Sequence, residues 1–223
     1  MEYITSDLHY FHNNIIKYCD RPFSIDNSGV AKMNEFLMEK IEELPDEEDT
    51  ILWNLGDVFF GKALKEITEE TLFYMVGRMK GQHRKLKLIL GNHDKQIFRN
   101  IKSNGRTLEQ FFRDIGFDSV YYYPVIIDEK FVLSHEPIYL DKFSNLYNIY
   151  GHLHDTKVTP DYFKYNYENY AMELRVYKEQ GIEPPEPKIV YPDKVIDINK
   201  YINVCWDANN KILNFTELKE KLK

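Results

Sequence analysis

Asn92, His93 and Asp94 stand together directly behind Gly91, and each carries a side chain able to bind a metal or move a proton. An imidazole between an amide and a carboxylate can share a cation or hand a proton to a leaving group. The three follow Lys85–Leu90, an apolar-rich run of strand length that Gly91 breaks. Open α/β sheets build their sites in this kind of place, beyond the carboxyl end of a strand. Gly-Asn alone is an ordinary turn signal, so its weight depends on recurrence.

The pattern recurs four more times. Asp7 and His9 close the run Tyr3–Thr5; spaced by two, they point the same way if the backbone is extended. Gly56 and Asp57 close TILWNL (50–55). His135 follows the run ending at Leu133, and Gly151, His152 and His154 follow Leu146–Tyr150. Five of the seven histidines fall at these strand ends, which scattered surface histidines would not do. The joint pattern predicts one convergent metal site.

The elements that must position these residues are readable from apolar spacing. Val30, Met33, Leu37, Ile41 and Leu44 recur at helical intervals, so this stretch is an amphipathic helix with its Met and Phe residues in the core. PDEED (45–49) is a solvated acidic loop. Leu72, Met75, Val76 and Met79 form a helix closing near Gly81. Thr107 caps another that runs through Phe112 and Ile115 and stops at Gly116. Val120–Ile127 and Phe131–Leu133 read as the two arms of a β-hairpin. Tyr201–Trp206 is a late strand, and Thr216 caps a C-terminal helix. Trp53 and Trp206 belong to the core, whereas His83 lies on the surface. Residues 156–199 read as an insertion or lid, rich in tyrosine and interrupted by Pro184, Pro185 and Pro187.

Composition bounds the class. The chain has 223 residues, 43% hydrophobic and 15% aromatic, enough for one sizeable core and a single domain over 1–223. A formal charge of −7 gives no global basic field and disfavours nucleic acid as a partner. Cys19 and Cys205 are too few and too far apart for a disulfide framework, so a reducing cytosol is expected. The N-terminal stretch lacks a basic and apolar leader, and no run reaches membrane-spanning length. A soluble cytoplasmic protein is expected.

Taken in order, Asp7-Leu8-His9, Gly56-Asp57, Gly91-Asn92-His93-Asp94, His135 and Gly151-His152-Leu153-His154 resemble the complete signature of the calcineurin-like metallophosphoesterases. The opening SDLHYFHNNIIKYCDRPF and the late INVCWD further resemble small bacterial and bacteriophage members. The resemblance implies an α/β fold, a four-layer sandwich of two mixed β-sheets flanked by helices. It implies a dinuclear metal-dependent hydrolase of phosphomonoesters or phosphodiesters, acting on small nucleotide-type or other phosphate esters through a hydroxide held between the metals. By position, Asp7, His9 and His154 bind one metal, Asn92, His135 and His152 bind the other, and Asp57 bridges them. His93 faces the scissile phosphate, with Asp94 as its orienting partner.

The residue types suit that reading. The two aspartates cancel half the charge of two dications, and the imidazoles and the amide cancel none. A positive field remains for a phosphate oxyanion and for acidifying bound water. The all-N/O donor set suits manganese foremost, with iron, nickel, zinc or magnesium as alternatives. His12, Asn13 and Arg21 could touch the substrate phosphate, Arg21 being suited to an oxyanion; the other reading is a solvated loop with a structural arginine. Two further functions are a metal-dependent nuclease and a non-catalytic binding scaffold on the same fold.

Overall fold

Four of the apolar runs lie side by side and parallel. In the computed structural model, which describes residues 1–60, 67–100, 105–160, 162–163 and 196–222, β1 (Glu2–Thr5), β2 (Ile51–Asn54), β3 (Lys85–Ile89) and β4 (Ser119–Tyr121) form one sheet. The order is β4-β3-β2-β1, extended by the short antiparallel β9 (Leu213–Asn214) on the free edge of β1. The second sheet has the order β5-β6-β7-β8, from β5 (Val125–Ile127), β6 (Phe131–Ser134), β7 (Tyr147–Tyr150) and β8 (Tyr201–Asn203). Its last three strands are parallel, and β5 is antiparallel to β6.

The strands of the first sheet are apolar on both faces because both faces are covered. Leu52, Leu86 and Leu88 point into a core shared with Met33, Leu37 and Ile41 of α2 (Asn27–Glu42), Leu72 and Val76 of α3 (Glu69–Lys80), and Phe111 and Phe112 of α5 (Leu108–Asp114). Ile4, Trp53 and Ile89 point the other way, into a second core with Phe131, Leu133, Ile149 and Phe215. The result is the expected α/β arrangement of two mixed sheets with flanking helices.

The caps explain where helices begin. Asp26 accepts the Gly29 N–H (2.7 Å) ahead of α2, and Thr107 with Gln110 makes a reciprocal capping box on α5. The C-terminal helix α7 (Phe215–Lys221) departs from expectation. Asn214 caps it through the Glu217 N–H, while the Thr216 hydroxyl accepts the Glu2 N–H at 2.8 Å and ties the helix to β1.

Two further expectations are corrected. Val120–Ile127 is not one hairpin arm: its first residues belong to β4 in the first sheet, and only Val125–Ile127 pairs with β6. The chain changes sheets through Tyr122, Tyr123 and Pro124, and Pro124 has no N–H to give a ladder. The late strand ends at Asn203, and Trp206 already begins the short helix α6 (Trp206–Asn209). The insertion expected at 156–199 lies outside the described residues, apart from 156–160, 162–163 and 196–199. Among the described residues, no helix is long and apolar enough to cross a membrane.

Because β1, β2 and β3 run parallel, their carboxyl ends share one edge. The second sheet brings its own strand ends there: Ser6 bridges to Cys205, and the Trp206 N–H donates to the Ser6 carbonyl at 2.9 Å.

Candidate metal centre

The loop after β1 runs alongside the loop after β2. The N–H groups of Asp7 and His9 donate to the carbonyls of Gly56 and Asp57, both at 3.0 Å. This pairing forces Asp7 (φ 59°) and His9 (φ 53°) into the left-handed region, where extended backbone was expected. Asp57 (φ 54°), His152 (φ 70°) and His154 (φ 50°) share that conformation. Each such residue costs on the order of 1 kcal/mol, less for Asp than for branched residues. Backbone strain concentrated on chemically capable side chains is characteristic of functional sites.

Asp57 is the hub. Its Oδ2 lies 3.5 Å from His135 Nε2, 3.8 Å from His9 Nε2 and 3.9 Å from His93 Nε2, while its Oδ1 accepts the His93 N–H at 2.8 Å. Asn92 Oδ1 is 3.0 Å and His152 Nδ1 3.2 Å from His135 Nε2. His135 Nδ1 lies 2.8 Å from the Leu55 carbonyl. A carbonyl only accepts, so Nδ1 carries a proton and Nε2 is the nitrogen that turns to the hub. On the other side, His9 Nε2 is 3.6 Å from Asp7 Oδ1. Four donor groups result among the described residues, Asp7/His9/His154, His9/Asp57/His93, Asp57/His135/His152 and Cys19/His154/Asp207, each with ligand atoms within 4.8 Å of one another.

These groups fit divalent cations. Asp7 Oδ1 and both ring nitrogens of His9 are buried with no hydrogen-bond partner among the described residues, a costly state for polar atoms unless a cation meets them. Burial disfavours a charged imidazole at His135, yet the hydrogen bond and charge of Asp57 push it up to about 9. Burial likewise opposes charge at His154, and Asp207 pushes it up to about 10. The cluster draws positive charge inward. A divalent ion satisfies that demand while leaving the imidazoles neutral.

Glycines permit the crowding. A Cβ on Gly91 would strike the Asp57 carboxylate, and one on Gly151 would stand 2.7 Å from Asp7 Oδ2.

Asp94 is not where the expected role puts it. Its fully buried carboxylate accepts the N–H groups of Asp57 (2.8 Å), Gly91 (2.9 Å) and Val58 (3.1 Å), so it fixes the two loops and not the His93 ring. Burial, then the charge of Asp57, raises its pKa.

His93 borders a cleft of about 720 Å³, with His12 and Asn13 also on its wall beside Phe11, Tyr18 and Phe60. His12 stacks on Phe60, ring centroids 3.5 Å apart. Arg21 is corrected: its side chain is 3% exposed and does not reach the cleft as a free cation. It donates to both carboxylate oxygens of Asp207 (2.7 and 2.9 Å) and to the carbonyls of Leu8 (2.8 Å) and Asp7 (2.9 Å).

Sequence reasoning passed over Asp207, Cys205 and Asn203. Asp207 lies 2.8 Å from His154 Nδ1, the Cys205 thiol donates to Asp7 Oδ2 at 3.1 Å, and the Asn203 amide donates to the His154 carbonyl at 2.8 Å. The signal available was their spacing of two, starting from the last residue of β8.

Comparison with known proteins agrees with this geometry. The calcineurin-like phosphoesterase family profile matches residues 3–208. The uncharacterized protein MJ1445 of Methanocaldococcus jannaschii is 37% identical over 105 residues, which is 46% of this chain and 53% of that protein, so the match spans about half of the relative's length. Among solved structures, the protein of unknown function AQ665 from Aquifex aeolicus aligns over 99% of this chain and 98% of its own, with a TM-score of 0.52 at 18% identity, a likeness of fold. The nuclease MPE of Pseudomonas putida aligns over 72% of this chain and 64% of its own at 20% identity, with a TM-score of 0.45, too low to argue from. Members of the matched family carry out metal-dependent phosphoester hydrolysis, and the His/Asp clusters are compatible with divalent ions. With its five strand-end motifs gathered at one edge and the profile spanning nearly its whole length, this chain belongs to the calcineurin-like phosphoesterase family.

Proposed function

We propose that this protein is a dinuclear metal-dependent phosphoesterase, acting as one domain on small phosphomonoesters or phosphodiesters of nucleotide size. Asp7, His9 and His154 would hold one ion, Asn92, His135 and His152 the other, and Asp57 would be shared. The reading is carried by Asp57 Oδ2, which three imidazoles from three separate motifs approach at 3.5, 3.8 and 3.9 Å. Bound divalent ions supply Lewis acidity toward phosphoryl oxygens and a more acidic water.

The chain's own residues supply the rest. His93 stands at the boundary between this cluster and the cleft, its backbone pinned to Asp57 Oδ1. Burial lowers its pKa, so at neutral pH the ring is uncharged and can donate a hydrogen bond to the leaving oxygen or accept one from it, without itself giving up a proton. Phe11, Tyr18, Phe60 and Leu153 give the cleft apolar walls that exclude water from the ester's organic part. A cleft of about 720 Å³ suits a ligand of nucleotide size.

The test is metal analysis together with hydrolysis of chromogenic mono- and diesters by metal-free protein supplied separately with Mn, Ni, Zn and Mg. Bound metal and metal-restored turnover are expected. Protein that takes up no divalent ion would overturn the proposal.

A further inference from the structure

The stretch from the last residue of β8 onward presents alternate residues to one side of the centre. Asn203 holds the His154 backbone through its carbonyl (2.8 Å) and also reaches the Thr156 carbonyl (3.1 Å). Cys205 donates to Asp7 Oδ2 (3.1 Å), an oxygen that also accepts the His152 N–H (2.8 Å). Asp207 stands against His154 Nδ1 (2.8 Å) with a side chain only 4% exposed. All three act on the donor group Asp7/His9/His154.

Asp207 is itself held from two sides. The buried Arg21 guanidinium grips both of its oxygens in the fork geometry that suits a carboxylate. The remaining donors of Arg21 take the carbonyls of Asp7 and Leu8 and the Met33 sulfur. One cation thus ties the backbone that carries Asp7 and His9 to the carboxylate that faces His154, across 186 residues of sequence.

We infer that Asp207, clamped by Arg21, is a positioning residue that holds the proton of His154 on Nδ1 and presents Nε2 to the metal. The inference rests on the proposed dinuclear site. A carboxylate behind a ligating imidazole fixes its ring orientation and tautomer and raises its basicity, and losing such a partner weakens metal binding about 10–100-fold. In Asp207→Asn the amide can turn its NH₂ toward Nδ1, so Nε2–H becomes the favoured tautomer and the metal meets the wrong nitrogen.

The experiment is calorimetric titration of metal-free wild-type and Asp207→Asn protein with Mn²⁺, alongside ¹⁵N-histidine spectra of the Zn²⁺-loaded forms. The expected result is one site weakened about 10–100-fold, the other unchanged, and loss of the Nδ1–H signature for a single ring. A merely structural role would lower both sites together with the melting temperature and leave the tautomer unmoved. Two wild-type affinities and an unchanged histidine spectrum in Asp207→Asn would overturn the inference. If that variant does not fold, Arg21→Lys, which keeps a cation but loses the fork, is read in the same way, with a smaller loss expected at the same single site. Wild-type protein that binds no Mn²⁺ overturns instead the dinuclear reading beneath it.

Discussion

The Asp94 carboxylate accepts the Asp57 backbone N–H at 2.8 Å and so fixes the hub of the centre from behind. Three N–H groups from two loops converge on this one fully buried side chain. Asp94→Ala strands all three. It is expected to destabilise the fold by about 3 kcal/mol, a fall of roughly 6–12 °C in melting temperature for a chain of this size. A melting curve within a degree or two of wild type would contradict the role.

His93 touches the cleft, and although its ring lies within 4.8 Å of the ligand atoms of His9 and Asp57, the proposed ions are assigned to other residues. His93→Ala should cut turnover of a chromogenic phosphodiester by about 10²–10⁴-fold while metal content persists. Loss of metal along with activity would make His93 a ligand and break the proposed division of labour.

Asp57 faces both proposed ions, so Asp57→Ala should abolish loading of at least one. Elemental analysis after metal reconstitution reads this directly. A fully loaded and active variant refutes the shared position.

Gly151→Ala adds one methyl and no charge, yet that carbon would strike Ser6 Oγ and sit 2.7 Å from Asp7 Oδ2. The Ser6 side chain and the neighbouring carboxylate must both shift, so weakened metal binding is expected with little change in secondary structure. Equilibrium dialysis against Mn²⁺, with circular dichroism on the same sample, checks both halves.

Away from the centre, Asp46 accepts the N–H groups of Gln82 (2.8 Å) and His83 (2.9 Å), which hold its carboxyl below the ordinary value. A depressed carboxylate contributes stability that is present above its unfolded pKa and lost as pH falls through the folded one. Acid melts of Asp46→Ala should therefore show a shallower decline below about pH 4 than wild type, because the variant has already lost this contribution at neutral pH. Parallel curves over that range would remove Asp46 from the account.

What could be read in the sequence was local. Each motif ends an apolar run in a side chain of obvious chemistry, three of the five behind a glycine exit, so Asp7, His9, Asp57, Asn92, His93, His135, His152 and His154 stand out without any knowledge of pairing. Helix starts were legible where the cap and its target are three residues apart, as with Thr107 and Gln110. What failed was set by distant partners. The Thr216 hydroxyl looked available to a helix but answers to Glu2, 214 residues away. The left-handed backbone at Asp7 and His9 follows from hydrogen bonds to the loop at 56–57. Arg21 stayed open between an anion receptor and a structural arginine because Asp207, its partner, is 186 residues off. Pattern spacing carries no trace of such pairs.

The frame made by Asn203, Cys205 and Asp207 has a consequence for biosynthesis. Translation releases every proposed ligand before it releases these three. A nascent chain therefore holds the full set of proposed donors before Asn203, Cys205 and Asp207 stand behind His154 and Asp7 to aim them.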